Sequence, residues 1–136
     1  MGLSHSPEHP TVALIVDTAR GAREKFAEHL ARHGITTIQA QDGFQGMAKA
    51  AALRPDVIAA DLGMNGHDVV DMCFRLKRQD STKHIPIIAV TSIATVSAVE
   101  QALRAGCVSV LVKPCPPHVL LEEIRRVLAL PHHPAA

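Results

Sequence analysis

Five short apolar runs punctuate the chain: TVALIVD (11–17), ITTIQA (35–40), DVIAAD (56–61), IPIIAVT (85–91) and VSVLV (108–112). Each is followed by a segment with helical amphipathic spacing. Uninterrupted runs of this length read as strands buried on both faces, because a strand with one wet face alternates polar and apolar residues. Strands separated by helices have to be joined by crossovers, which makes the sheet mainly parallel and its units right-handed. The expected fold class is therefore α/β, a doubly wound five-stranded parallel sheet with helices on both faces. Local punctuation points the same way. Gly34 follows the helical AREKFAEHLARH, Gly106 follows ALRA, and Asp42 with Gln45 and Ser97 with Glu100 have the spacing of capping boxes.

At 136 residues and 47% hydrophobic, the chain has the length of one domain able to bury a core. The repeat places that domain at residues 11–130; residues 1–10 and 131–136 carry Pro and His without periodicity and are expected to be flexible tails. A formal charge of +1 and the lack of Trp and Tyr remove the basic surface and the stacking platforms that nucleic acid requires. The three cysteines, Cys73, Cys107 and Cys115, form no CxxC pair, so they are read as reduced thiols and not as a disulfide framework or zinc ribbon. No apolar stretch approaches the roughly 20 residues of a membrane helix, and MGLSHSPEHP lacks the pattern of a signal peptide. A soluble cytoplasmic protein with no nucleic-acid or membrane partner is expected.

The residues that close the strands meet at one edge of such a sheet, where open α/β proteins keep their ligands. Asp17 ends the first run, Asp61 the third and Thr91 the fourth, and Lys113 follows the fifth. Two acids, a hydroxyl and a cation suit phosphoryl capture: a carboxylate nucleophile, an ammonium and a hydroxyl for the phosphoryl oxygens, and acids to hold Mg²⁺. Each residue also has a plainer reading. Asp17 caps a helix starting near Ala19, Asp61 caps the next turn, and Lys113 neutralises either. The coincidence of all of them with Thr91 favours a site. His29 and His33, four apart on a helix, have the spacing of a metal pair, but a solvated helical face is the commoner setting. His67 lies near the proposed crevice as a loop residue. The cysteines read as small buried hydrophobes, with Cys115 alone close to the crevice. HVLLEEIRRVLAL (118–130) carries an ordinary core stripe, with Arg125 and Arg126 facing water.

PDVIAADLGMNGHD (55–68), IPIIAVTS (85–92) and AGCVSVLVKP (105–114), in this order after LIVD, resemble the receiver domain of two-component response regulators from about Thr11 to Leu130. The resemblance implies the flavodoxin-like (βα)5 fold with strand order 2-1-3-4-5. It implies that Asp61 is the phospho-acceptor, Thr91 the switch hydroxyl and Lys113 the phosphate-pairing lysine, with Pro114 after a bond that is often cis. Asp17, Asp61 and the backbone carbonyl of Gly63 then hold Mg²⁺. Four positions depart from the family pattern. Thr18 stands where a second acid is usual and is left to act through a metal-bound water, so Mg²⁺ is expected to bind weakly. Asn65 replaces a common Pro, Val110 the switch aromatic, and Cys115 a common Phe.

The function this implies is a single-domain response regulator. It takes a phosphoryl group from a histidine kinase or phosphotransfer protein and signals to a downstream protein by altered binding. Enzymatic activity is expected to go no further than self-phosphorylation and self-dephosphorylation; no output domain is expected after residue 130, and a homodimer stays open. The alternative is a degenerate receiver, a phosphorylation-independent protein-interaction module. A cobalamin-binding domain shares the fold, but Ala19 and Arg20 occupy the turn where its ligating histidine would stand. A small-molecule enzyme has no support beyond the scaffold itself.

Overall fold

The computed structural model describes residues 9–63 and 67–131. Strands and helices alternate through β1 (Val12–Val16), α1 (Arg20–Arg32), β2 (Thr36–Ala40), α2 (Gly43–Leu53), β3 (Val57–Asp61), α3 (His67–Arg78), β4 (Ile87–Thr91), α4 (Val96–Arg104), β5 (Ser109–Val112) and α5 (Pro117–Leu128). All five strands are parallel, in the order β2-β1-β3-β4-β5. Both the fold class and the strand order are those expected.

The unbroken apolar runs are explained by what each face meets. Leu14 and Val16 of β1, Ile58 and Ala60 of β3, and Ile87 and Ala89 of β4 pack in one cluster with Met72, Cys73 and Leu76 of α3 and Ala102 of α4. The alternate residues, Ala13, Ile15, Val57, Ala59 and Ile88, face Phe26 and Leu30 of α1 and Leu120, Leu121 and Ile124 of α5. A period-2 strand needs apolar residues at every position only when both faces are covered, and here both are. Arg125 and Arg126 are exposed on α5, as its stripe predicts.

Helix ends agree with the sequence at most places and differ at one. Gly34 and Gly106 follow α1 and α4 with φ of 83° and 101°. Asp42 caps α2 by accepting the Gln45 N–H at 2.8 Å, while the Gln45 side chain returns to the Gln41 N–H at 3.0 Å. The Ser97–Glu100 capping box does not form. Ser97 lies inside α4, and Thr95 caps it by accepting the Ala98 N–H at 3.1 Å. Two hydroxyls two residues apart compete for one helix start, and the earlier one wins because the chain already turns into the helix at Val96. The segment between β4 and α4 is therefore the four-residue stretch from Ser92 to Thr95.

Candidate functional site

Register brings the strand ends together. Val16 of β1 is level with Ala40 of β2 and Ala60 of β3, Asp61 is level with Val90, and Thr91 with Val112. Asp17, Asp61, Thr91 and Lys113 consequently sit at one edge of the sheet, on four adjacent strands. Lys113 joins the set in two ways. Its backbone N–H donates to the Thr91 carbonyl at 2.8 Å, continuing the sheet pairing one step past β5. Its Nζ reaches Oδ2 of Asp17 at 2.8 Å and Oδ2 of Asp61 at 2.9 Å, so one ammonium bridges both acids.

The other carboxylate oxygens are held locally. Oδ1 of Asp17 accepts the Ala19 N–H at 2.8 Å, and Oδ1 of Asp61 accepts the Gly63 N–H at 2.9 Å. Turn-capping and site-forming roles are thus carried by different oxygens of the same side chains. The Asp17 side chain is 2% exposed, that of Asp61 13% and that of Lys113 22%, so the crevice opens over Asp61 and Lys113. Thr91 is buried, and its Oγ1 accepts the Ile93 N–H at 3.0 Å, tying that hydroxyl to the loop that leads to α4.

Burial pushes the Asp61 carboxyl above the ordinary aspartate value; the Lys113 hydrogen bond opposes that and the Asp17 charge reinforces it. Burial alone would depress Lys113, but the hydrogen bonds and charges of the two acids outweigh it and its pKa is raised. Lys113 is therefore cationic throughout the neutral range. The donor set fits a hard cation: carboxylate oxygens of Asp17 and Asp61, with the Gly63 carbonyl two residues beyond Asp61. Among the described residues no third acid, histidine or cysteine joins them in a metal-binding group. Thr18 is exposed at the start of the turn after Asp17.

Other sequence-predicted residues are placed as follows. The Lys113–Pro114 peptide bond is cis. Val110 is half-buried against the core on the α3 and α4 side. Cys73 and Cys107 are buried free thiols, and Cys115 is a half-buried one. Cys115 and Lys113 line a cavity of about 340 Å³ with Gly21, Lys25 and Phe26 of α1. The His29 and His33 rings lie 4.5 Å apart, with Nδ1 of His33 donating to the His29 carbonyl at 2.9 Å. Asn65 and the side chain of His67 lie outside the described residues. Sequence reasoning missed Arg23, whose Nη1 donates to the Asp17 carbonyl at 2.8 Å and whose Nε reaches Oε1 of Gln39 at 3.3 Å. No periodicity signals that contact, because it depends on β1 and β2 being neighbours.

Among the described residues no helix is long and apolar enough to cross a membrane. Comparison with known proteins agrees with the geometry. The sequence pattern of the response regulator receiver domain matches residues 13–125. Protein PilH of Pseudomonas aeruginosa is 32% identical over 116 residues, covering 85% of this chain and 96% of PilH. The DNA-binding dual master transcriptional regulator RpaA of Synechocystis is 30% identical over 115 residues; there the match takes in 85% of this chain but only 48% of the relative. The solved structure of chemotaxis protein CheY4 of Vibrio cholerae has a TM-score of 0.81 at 28% identity, covering 87% of this chain and 98% of that one. A family match across most of the length, on the flavodoxin-like sheet just described, means that the chain belongs to the response regulator receiver domain family of two-component signalling.

Proposed function

We propose that the protein is a cytoplasmic response regulator that accepts a phosphoryl group on Asp61 from a histidine kinase or phosphotransfer protein and then changes its affinity for a downstream protein. The observation that carries this reading is the Lys113 ammonium held between Asp17 and Asp61, with its backbone fixed to Thr91. Of the two acids Asp61 is the more exposed, and burial raises its basicity, which favours it as the nucleophile. In the transfer an Asp61 oxygen forms a bond to phosphorus as the bond from phosphorus to the donor histidine nitrogen breaks, and the imidazole leaves. Lys113 gives up its contact with Asp61 to pair with a phosphoryl oxygen, and the Thr91 hydroxyl donates its O–H to another phosphoryl oxygen. Asp17, Asp61 and the Gly63 carbonyl would hold Mg²⁺, which supplies charge neutralisation for the phosphoryl oxygens when bound.

The degenerate reading draws on one observation: with Thr18 at the second acid position, no third ligating side chain joins Asp17 and Asp61 among the described residues. A titration with beryllofluoride and Mg²⁺ followed by backbone NMR separates the two. On the phospho-accepting reading, saturable shifts appear around Asp61 and Lys113 and spread through residues 91–100. They stay small along β5, because Val110 is β-branched and lacks the volume to swap between buried and exposed positions. No response at millimolar Mg²⁺ leaves the interaction-module reading in possession. Shifts along β5 and α5 as large as those in 91–100 would show a coupling route that needs no aromatic.

A further inference from the structure

The backbone of Asp17 stands at the point where β1 leaves the sheet. Its N–H still pairs with the Ala40 carbonyl at 3.0 Å, but the residues that follow, Thr18 and Ala19, are exposed and leave the turn little packing of its own. Arg23 reaches back from the first turns of α1 to take the Asp17 carbonyl at 2.8 Å and spans to Gln39 on β2 at 3.3 Å. A planar guanidinium with two donors so engaged fixes both the position and the tilt of the peptide it holds. The Asp17 carboxylate then has one oxygen on the Ala19 N–H and the other on Lys113.

We propose that Arg23 is a positioning residue, which holds Asp17 in register with Lys113 and Asp61 and so preserves cation binding at a site where Thr18 supplies no second carboxylate. The proposal rests on the phospho-accepting reading for its purpose but not for its geometry. Charge and position predict opposite signs. Arg23 is a cation beside a cation site, so by charge alone its removal tightens Mg²⁺ binding; by position, its removal loosens it.

The test compares wild type with Arg23→Ala, Arg23→Lys and Gln39→Ala. Two quantities are read: the solvent exchange rate of the Ala19 amide, which reports the bond to Asp17, relative to that of Ile15 in the sheet, and the dissociation constant for Mg²⁺. Arg23→Ala is expected to speed Ala19 exchange about tenfold with Ile15 unchanged and to weaken Mg²⁺ about tenfold, as loss of one charge-assisted hydrogen bond implies. Arg23→Lys, which keeps the charge and one donor, should recover part of both; Gln39→Ala should show a smaller change of the same sign, and these two carry the test if Arg23→Ala does not fold. Unchanged Ala19 exchange, or tighter Mg²⁺ binding in Arg23→Ala, overturns the proposal. Faster Ala19 exchange in a series in which no protein, wild type included, binds Mg²⁺ supports the positioning role and instead removes the phospho-accepting reading.

Discussion

Asp17 and Asp61 close two adjacent strands with the same local geometry. In each, Oδ1 takes the N–H two residues on and Oδ2 takes Lys113, at distances that agree within 0.1 Å (2.8 and 2.8 Å against 2.9 and 2.9 Å). The turns that follow are unlike. After Asp17 the chain passes through Thr18 and Ala19 into α1 under the hold of Arg23; after Asp61 it passes through Leu62 into Gly63, whose φ is +41°. Asp17 is sealed and its carbonyl is fixed, whereas Asp61 is partly open. Equal hydrogen bonding thus does not make equal chemistry; access and backbone restraint separate a carboxylate suited to holding from one suited to reacting.

The largest effect that tests this contrast is at the two acids. Asp61→Asn should abolish the labile adduct formed with acetyl phosphate and Mg²⁺, read by intact mass. Asp17→Asn should keep the adduct while forming it roughly ten- to a hundredfold more slowly, a loss of about 1–3 kcal/mol. An adduct retained by Asp61→Asn would reverse the assignment. Next comes the charge. Asp17, Asp61 and Lys113 sum to about −1, so Thr18→Asp should tighten Mg²⁺ about ten- to a hundredfold by adding one attraction and one ligand. Isothermal titration of both proteins checks it, and equal affinities would place Thr18 away from the metal.

Lys113→Met leaves two carboxylates facing each other without their counter-charge. The partly exposed setting moderates the cost, and we expect a loss of about 1–3 kcal/mol in urea unfolding that millimolar Mg²⁺ restores. If the loss persists with Mg²⁺ present, the lysine matters for packing and not for charge. The smallest effects concern the Asp61 turn. Gly63→Ala should cost about 1 kcal/mol through its left-handed backbone, since among the described residues the added Cβ meets nothing closer than Oδ1 of Asp61 at 3.5 Å. The raised Asp61 pKa also has a sign. The folded state binds this proton more readily than the unfolded one, so ionised Asp61 opposes folding above its folded pKa, and the penalty fades as pH falls toward the unfolded value of 3.8. Asp61→Asn should therefore gain stability at pH 7 and lose that advantage near pH 4. An advantage independent of pH would assign it to something other than ionisation.

Much of this was legible in the chain because parallel burial writes itself in continuous apolar runs. The convergence of Asp17, Asp61, Thr91 and Lys113 followed from strand ends alone, since any doubly wound sheet gathers the residues that close its strands. What was not legible depends on distances across the fold. Arg23 finds Gln39 only because Ile15 of β1 is in register with Gln39 of β2. Thr95 displaces Ser97 as a cap because the path out of β4, not the spacing to Glu100, decides where α4 begins. That one ammonium serves both acids at once is likewise a matter of a few ångströms that no spacing encodes.

That shared ammonium has a consequence for reversibility. The resting crevice carries its own tethered counter-ion, shared between Asp17 and Asp61 at 2.8 and 2.9 Å. On the phospho-accepting reading, Lys113 has only to swing from the Asp61 carboxylate to an incoming anion, and it falls back when the anion leaves. On that reading the lysine's return is as local an event as its departure.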